Sequence, residues 1–542
     1  MKLIVRVILL VIMNQLNAQS EYWIKTYIIK FNNRKDTNYF PTYFRAFEIK
    51  NDSIFSIFKS TDTTVQDHYG TGFGILDLEG NLLQYRSIPY KGLNNYFFPE
   101  EMITFDYRSF YTSVFIKTNN EAILKYNYLT EETKIYDIRN SVCDSCFLRF
   151  GGMAKDPNGY LIVAHNISVP NQQDSFYRKV QVIKMDQEGN KIWTKVLGGA
   201  STKDLHSNSC EAVYVDSKGN YYIGTTYEDR GYYYQMIVYK LDSLGNVIKE
   251  FKSKISQQLG NVYDFTELDN NSLALASASC RPASWFGESS PAITILDSSL
   301  NLKTSFLAGR YTYGVYGIVH LEKIVRANHN DGLITVFSNY FEFKYTRYDS
   351  TKMKLDTVPS STRKAYLIKV SETGDSIWRR KYVLREGIVK HWTDAEESQI
   401  FELKALPDKS GYLLGGYSYR DNAYEKLKEA PYMPLLIKVD NDGCIIPDCG
   451  KTNNIDTKAE EGNKLFTIYP NPFSDRLIIQ NHSSNKLLYR VHDMQGKLMT
   501  EWYCDDPEET NIVLTHHWPI GVYVINAVDS DGLAHSESII KQ

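Results

Sequence analysis

Cysteine is the residue type in this chain best spaced to do chemistry. Two close pairs stand among the seven cysteines: Cys143 and Cys146 in CDSC, and Cys444 and Cys449 in CIIPDC. A C-x-x-C pair is a redox centre when a βαβ unit presents it, or half a zinc site when a second pair follows at suitable spacing. Neither context is written around these residues. Each pair is therefore expected to close a small disulfide loop, worth about 2 kcal/mol through the freedom it removes from the unfolded chain. Cys210, Cys280 and Cys504 are an odd remainder, either one pair with a free thiol or three buried thiols.

The other candidates lead away from catalysis. His516 and His517 are neighbours, and in a strand they would point to opposite faces, which does not build a shared metal site. Asp440, Asp442 and Gly443 have the composition of a calcium loop, but lack its D-x-D-x-D-G spacing and its closing Glu, and read as a hairpin turn. Trp193 and Trp378 fall at matching places in a repeat and are expected to pack rather than to bind. A G-x-S-x-G elbow and a glycine-rich phosphate loop are both absent. The sequence thus nominates no catalytic residue, no metal and no cofactor.

The elements that carry these residues are strands. The 542 residues exceed one ordinary core, so a large domain and a small one are expected. A hydrophobic fraction of 43% and a charged fraction of 23% exclude disorder and a membrane-embedded body. A formal charge of −3 gives no electrostatic footprint for nucleic acid. The 41 tyrosines suit half-wet pleated surfaces, where the ring packs and the hydroxyl reaches water. At the start, Lys2 and Arg6 precede the apolar run LIVRVILLVIM, and residues 1–18 read as a signal peptide cut after Ala18. No second apolar run approaches membrane-spanning length, so no transmembrane anchor is expected in the mature chain.

From residue 19 to 450 a two-part phrase recurs. One part is a turn and an apolar strand, as in DPNGYLIVAHN from Asp156, DSKGNYYIGTT from Asp216 and PDKSGYLLGGYS from Pro407. The other is strand, turn, strand, as in VIKMDQEGNKIWTKVLG from Val182, VYKLDSLGNVIKEF from Val238 and LIKVSETGDSIWRRKYV from Leu367. Asp, Gly and Asn in these turns supply positive φ and side chains that bond their own backbone. Four short strands per unit of roughly 45–60 residues is the signature of a propeller blade. Seven units fall at residues 44–88, 100–138, 148–197, 210–251, 262–306, 316–381 and 400–446, with six or eight blades as alternatives. The last unit lacks an outer strand, and residues 21–31 (EYWIKTYIIKF) would supply it and close the ring.

Residues 451–464 are polar and aperiodic and read as a linker. Beyond them come YPNPFSDRLII, with Tyr469, Pro470, Asn471 and Pro472; the D-x-x-G-K turn of Asp493 and Gly496; GVYVI, with Gly521 and Tyr523; and the final SIIKQ, with Lys541. Residues 465–542 resemble the type A C-terminal sorting domain of the type IX secretion system. Leu477, Ile479, Leu488, Val491, Val513, Val522 and Val524 are expected to face the core of a small immunoglobulin-like sandwich. The resemblance implies recognition by the type IX translocon and sorting machinery at those motif positions, passage through the periplasm, and release or attachment at the cell surface. The repeats likewise resemble degenerate propeller repeats of secreted Bacteroidota proteins.

The expected fold is therefore all-β, a propeller of about seven blades followed by a small sandwich. Two kinds of function fit it. A binding module would display loops around the ring axis to a glycan or peptide. A hydrolase or lyase would gather acidic or histidine side chains from several blades at the central channel. The recurrent positions hold lysine, aromatic and apolar residues, which favours binding.

Overall fold

A computed structural model of the chain describes residues 23–26, 39–62, 69–88, 101–117, 120–138, 147–170, 176–198, 206–229, 233–257, 259–280, 289–308, 320–349, 354–386, 397–419, 432–445, 465–483, 485–504, 509–529 and 534–542. The signal segment 1–18, the linker 451–464, and Cys143, Cys146 and Cys449 lie outside them. Among the described residues every regular element is a strand, apart from two single 3-10 turns at Ile255–Gln257 and Asp269–Asn271.

The strands form seven four-stranded antiparallel blades, each running outward in chain order from the first strand. The first strands are Tyr39–Lys50, Met102–Thr104, Phe147–Lys155, His206–Val215, Leu259–Glu267, His320–Arg326 and Glu397–Ala405, which define blades 1 to 7. Blade 7 takes its outermost strand from the other end of the chain, where Trp23–Thr26 lies antiparallel to its third strand, Trp23 opposite Lys438 and Thr26 opposite Leu435.

Apolar cores between successive blades show that the ring is closed. In blade 3, Leu161, Val163 and Ile183 face Tyr111 and Ile123 of blade 2. The alternate residues Ile162, Ala164 and Val182 face Tyr221 and Ile223 of blade 4. Both sides of the strand are buried, which is why LIVA is apolar throughout rather than alternating. The same pattern continues around the ring. It ends where Leu406, Leu413 and Leu436 of blade 7 pack on Phe44, Phe47 and Phe58 of blade 1.

The repeated phrase is explained by two contacts between blades. In blade 3 the lysine of V-I-K, Lys184, donates to Asp156 Oδ2 (3.2 Å) in the blade's own first turn and to the Tyr221 hydroxyl (2.7 Å) of blade 4. Tyr221 donates in turn to Asp156. Burial pushes the Asp156 carboxyl up, but donation from Tyr221, Asn158 and Lys184 outweighs it and holds the carboxyl below its ordinary range. Lys369 and Asp331 repeat the pair in blade 6, 2.6 Å apart.

The second contact, made by blades 2, 3, 5 and 6, seats an aromatic ring of the outer strand on the turn glycine of the next blade. Tyr136 meets Gly189, Trp193 meets Gly245, Phe306 meets Gly374 and Trp378 meets Gly443. At Gly245, with φ of 78°, a Cβ would lie 3.1 Å from the Trp193 ring, so both backbone and space require glycine. Trp193 Nε1 also donates to Ser243 O at 3.1 Å. The two tryptophans are thus packing residues between blades.

The C-terminal domain is a two-sheet sandwich. One sheet holds Phe466–Tyr469, Arg476–Asn481 and Glu509–Leu514; the other holds Leu498–Cys504, Leu487–Asp493, Gly521–Asp529 and Ala534–Lys541 in that spatial order. Leu477, Ile479, Val491 and Val513 lie in its core. Leu488, Val522 and Val524 do not. On their strands the inward set is Leu487, Tyr489, Tyr523, Ile525 and Ala527. Parity decides this: Tyr523 turns inward because its ring packs on Trp518 and its hydroxyl reaches Pro519 O, so Val522 and Val524 must turn out. His516 and His517 sit in a turn closed by Trp518 N donating to Thr515 O, not in a strand.

Candidate functional site

Of the sorting-type residues, Asn471, Tyr523 and Lys541, from the two ends of the domain, meet around Phe473 at one corner of the sandwich. Tyr469 ends the first strand, and Pro470 and Pro472, both after cis peptide bonds, carry the chain toward the C-terminal strand. There Asn471 accepts from Ile540 N (3.0 Å) and donates to Ser538 O (3.1 Å). Phe473 N donates to Ile540 O, and Gln542 N donates back to Phe473 O, both at 2.8 Å. The Lys541 ammonium donates to Ser474 O and to Thr515 O, and lies over the Phe473 ring. Burial lowers its pKa. Trp518 and Tyr523 complete the aromatic floor under Phe473.

Asp493 ends the strand Leu487–Asp493, and Gly496 lies in the turn that follows it. Asp493 Oδ1 accepts from Gln495 N and Lys497 N, both at 2.9 Å, and Gly496 has φ of 79°. Gly521 opens the strand that carries Tyr523. In physical terms the motif pins the last strand of the chain to the first turn of the domain.

A second cluster, which sequence reasoning missed, lines the ring axis. Six of the seven first strands carry a register shift of one residue, at Phe44/Ala46, Phe150/Gly152, Cys210/Ala212, Val262/Asp264, Leu321/Lys323 and Ile400/Glu402. Such a bulge re-aims the side chains beside it. The residue after the bulge is small in blades 1, 3 and 4, but Asp264, Lys323 and Glu402 in blades 5, 6 and 7. Glu101 heads the short first strand of blade 2. Lys323 Nζ lies 3.7 Å from Glu101 Oε1 and 3.9 Å from Asp264 Oδ1. Lys404 lies 3.4 Å from Glu48 and 3.9 Å from Glu402.

Each of two carboxylates also closes the exposed inner edge of the following blade. Glu101 accepts from Met153 N of blade 3, and Asp264 accepts from Ile324 N (2.9 Å) of blade 6. Burial raises the Glu101 pKa to about 7, against the opposing pull of Lys323 and the Met153 N–H. Burial likewise raises Glu402, while Lys404 and Lys323 oppose it. Burial would lower Lys323, but Asp264, Glu402 and Glu101 outweigh it and keep the ammonium charged. A carboxyl whose proton affinity burial raises toward neutrality, beside a charged ammonium and a second carboxyl, can give or take a proton and can hold a polar ligand.

Nearer the face where each first strand begins, Gln399 donates to Glu322 (2.9 Å) and Asn261 to Glu211 (3.3 Å). Arg45 stacks over Phe401, 4.4 Å from its centroid. The acids were hidden in the sequence because none belongs to the repeated phrase, and the bulge that re-aims them shows only in the strand pairing. Among the described residues no three His, Cys, Asp or Glu side chains are grouped to hold a metal ion. The Asp440 side chain accepts from Asp442 N and Cys444 N as a hairpin turn does. Cys210 and Cys504 are both buried, one in each domain.

Ring and corner together define the class: a β-propeller carrying a C-terminal sandwich. Residues 467–542 match the sequence profile of the secretion system C-terminal sorting domain, and the C-terminal domain belongs to that family. A type IX sorting domain directs its chain through the periplasm to the cell surface or the medium. Among the described residues no helix is long and apolar enough to cross a membrane. No curated protein matches the chain.

Solved structures similar to it include a protein of unknown function from Bacteroides caccae, at 10% identity over 59% of this chain and 87% of that one, with a TM-score of 0.31. A protein of unknown function from Dyadobacter fermentans is similar at 12% identity over 62% of this chain and 98% of its own, with a TM-score of 0.36. Raptor from Chaetomium thermophilum is similar at 12% identity over 74% of this chain and 28% of its own, with a TM-score of 0.41.

Proposed function

We propose that this is a secreted or surface-attached binding protein, in which the propeller is the cargo and the sandwich is the address. The ligand is a glycan or a peptide held at the axial face of the ring. The observation that carries the reading is the sorting domain joined to a ring whose central carboxylates are already used to close neighbouring blades. Tyr469, Pro470, Asn471, Pro472, Asp493, Gly496, Gly521, Tyr523 and Lys541 form the determinant read by the type IX machinery. Residues 1–18 are removed after Ala18, and Cys143–Cys146 and Cys444–Cys449 pair after export.

Deleting residues 465–542 tests the address. The ring closes through its own blade-to-blade cores, so the shortened protein is expected to fold and to accumulate in the periplasm. Equal amounts of shortened and intact protein at the surface or in the medium would refute the assignment. A second reading, a hydrolase or lyase acting at the channel, is supported by acids from blades 2, 5 and 7 converging around Lys323. Glycan and peptide arrays, followed by turnover assays on whatever binds, separate the two. Turnover lost in both Glu101→Gln and Asp264→Asn, with binding kept, would establish the enzyme.

A further inference from the structure

The outermost strand of a propeller blade usually presents a free backbone edge to water. In blades 2 to 5 these strands are Glu132–Asp137, Lys191–Leu197, Val247–Lys252 and Leu302–Leu307, six or seven residues each, and largely exposed or half-buried. Blade 6 departs from the pattern. Its outermost strand, Ser376–Glu386, has 11 residues, and only Ser376–Tyr382 pairs with the blade's third strand. Lys381–Glu386 pairs in parallel with Glu509–Leu514 of the sandwich, Lys381 opposite Glu509 and Glu386 opposite Leu514. Among the described residues, Val383–Glu386 thus has ladder partners in the sorting domain alone.

Chemistry reinforces the ladder. Lys381 Nζ is ion-paired with Glu509 Oε2, and only 5% and 2% of the two side chains are exposed. A buried ammonium on an outermost strand is stable only when another strand brings its counter-charge, because an unpaired one costs several kcal/mol. Beside the pair, Ile478 and Ile512 of the sandwich join the same apolar core as Trp378, Tyr382 and Ile445 of blades 6 and 7. The result is one seven-stranded sheet running from the channel wall to the far edge of the sandwich.

We infer that the outer edge of blade 6 is a strand-acceptor site, selective for a parallel strand that sets a carboxylate opposite Lys381. The chain's own sorting domain fills it and stays on the propeller when the connection at residues 451–464 is cut. Severing that connection is then not the same event as release, which also needs the strand withdrawn and the ion pair opened. Strand addition of this kind draws affinity from the backbone ladder and selectivity from the side chains beside it.

The test uses the full chain with a specific protease site placed between residues 451 and 464. After cleavage the two fragments are expected to elute together at the mass of one chain, with the Val383–Glu386 amides protected from hydrogen exchange. Glu509→Lys should separate them, and the exchanged pair Lys381→Glu with Glu509→Lys should restore co-elution. Val383→Pro lies beyond the last residue paired within blade 6 and leaves the sandwich sequence intact, so it should also separate them. Wild-type fragments that elute apart, or fragments of Glu509→Lys or Val383→Pro that still elute together, would overturn the proposal.

Discussion

Replacing Glu101 by Gln removes a carboxyl that burial at the ring axis holds against ionisation. Its carboxyl is shifted from 4.5 to about 7 in the folded protein, chiefly by burial. The native state therefore binds the proton more tightly than the unfolded chain, and stability falls as pH rises between those two values. At about 1.4 kcal/mol per unit the full shift would amount to roughly 3 kcal/mol. About a fifth of the side chain is exposed, so screening reduces this to on the order of 1–3 kcal/mol. Urea unfolding followed by tryptophan fluorescence, at pH 5 and at pH 8, measures the effect. Wild type should lose about that much more stability than Glu101→Gln between the two conditions. The glutamine still offers an oxygen to Met153 N, so the variant should fold. Parallel pH profiles for the two proteins would refute the assignment of a raised carboxyl at the axis.

Other perturbations follow from the contacts between blades and at the corner. Gly443→Val places a side chain 2.8 Å from the Trp378 ring at a φ of 72°, and should cost about 2 kcal/mol or more, read as a lowered urea midpoint. Leu413→Ala opens a cavity in the core that joins blade 7 to blade 1, with an expected loss of about 2–5 kcal/mol in the same assay. Asn471→Ala removes both hydrogen bonds to the C-terminal strand, and should raise hydrogen exchange at Ser538–Ile540 and lower the amount of protein reaching the surface. Cys210 is fully buried and its thiol is pushed far above the ordinary range by that burial, so alkylation in native buffer should leave it unmodified until urea unfolds the ring.

Much of the ring was legible because its turns are local. In D-x-x-G-N, Asp186 Oδ1 accepts from Glu188 N and Asn190 N, and Asn190 Nδ2 returns to Oδ2, all within five residues. Apolar runs on either side then set strand length. The purpose of the repeated lysine was not legible, since Lys184 meets Asp156 and Tyr221, 28 residues behind it and 37 ahead. The axial cluster was hidden for the same reason: Glu101, Asp264, Lys323 and Glu402 come from four blades and meet only when the ring closes. The stretch around KYTRYDSTKMKLDTVPSSTRK reads as an insertion, and its pairing extends the central hairpin of blade 6 to two strands of 17 residues. In the sandwich the strands were visible but the inward face of Gly521–Asp529 was not, because V-Y-V-I-N-A-V offers an apolar residue on both sides. There the aromatic corner around Trp518 chose the parity.

The fastening of blade 7 by Trp23–Thr26 also sets an order of events. The four residues that seal the ring are made before any blade, yet their partners Leu435–Lys438 are made more than four hundred residues later. The seal is therefore the contact of longest reach in the ring, the kind whose loop entropy must be met before it returns any stability. Until blade 7 arrives, blade 1 has no neighbour for Phe44, Phe47 and Phe58, and those rings stay open to solvent or to a chaperone. The last blade before the sorting domain is thus also the one that shuts the circle.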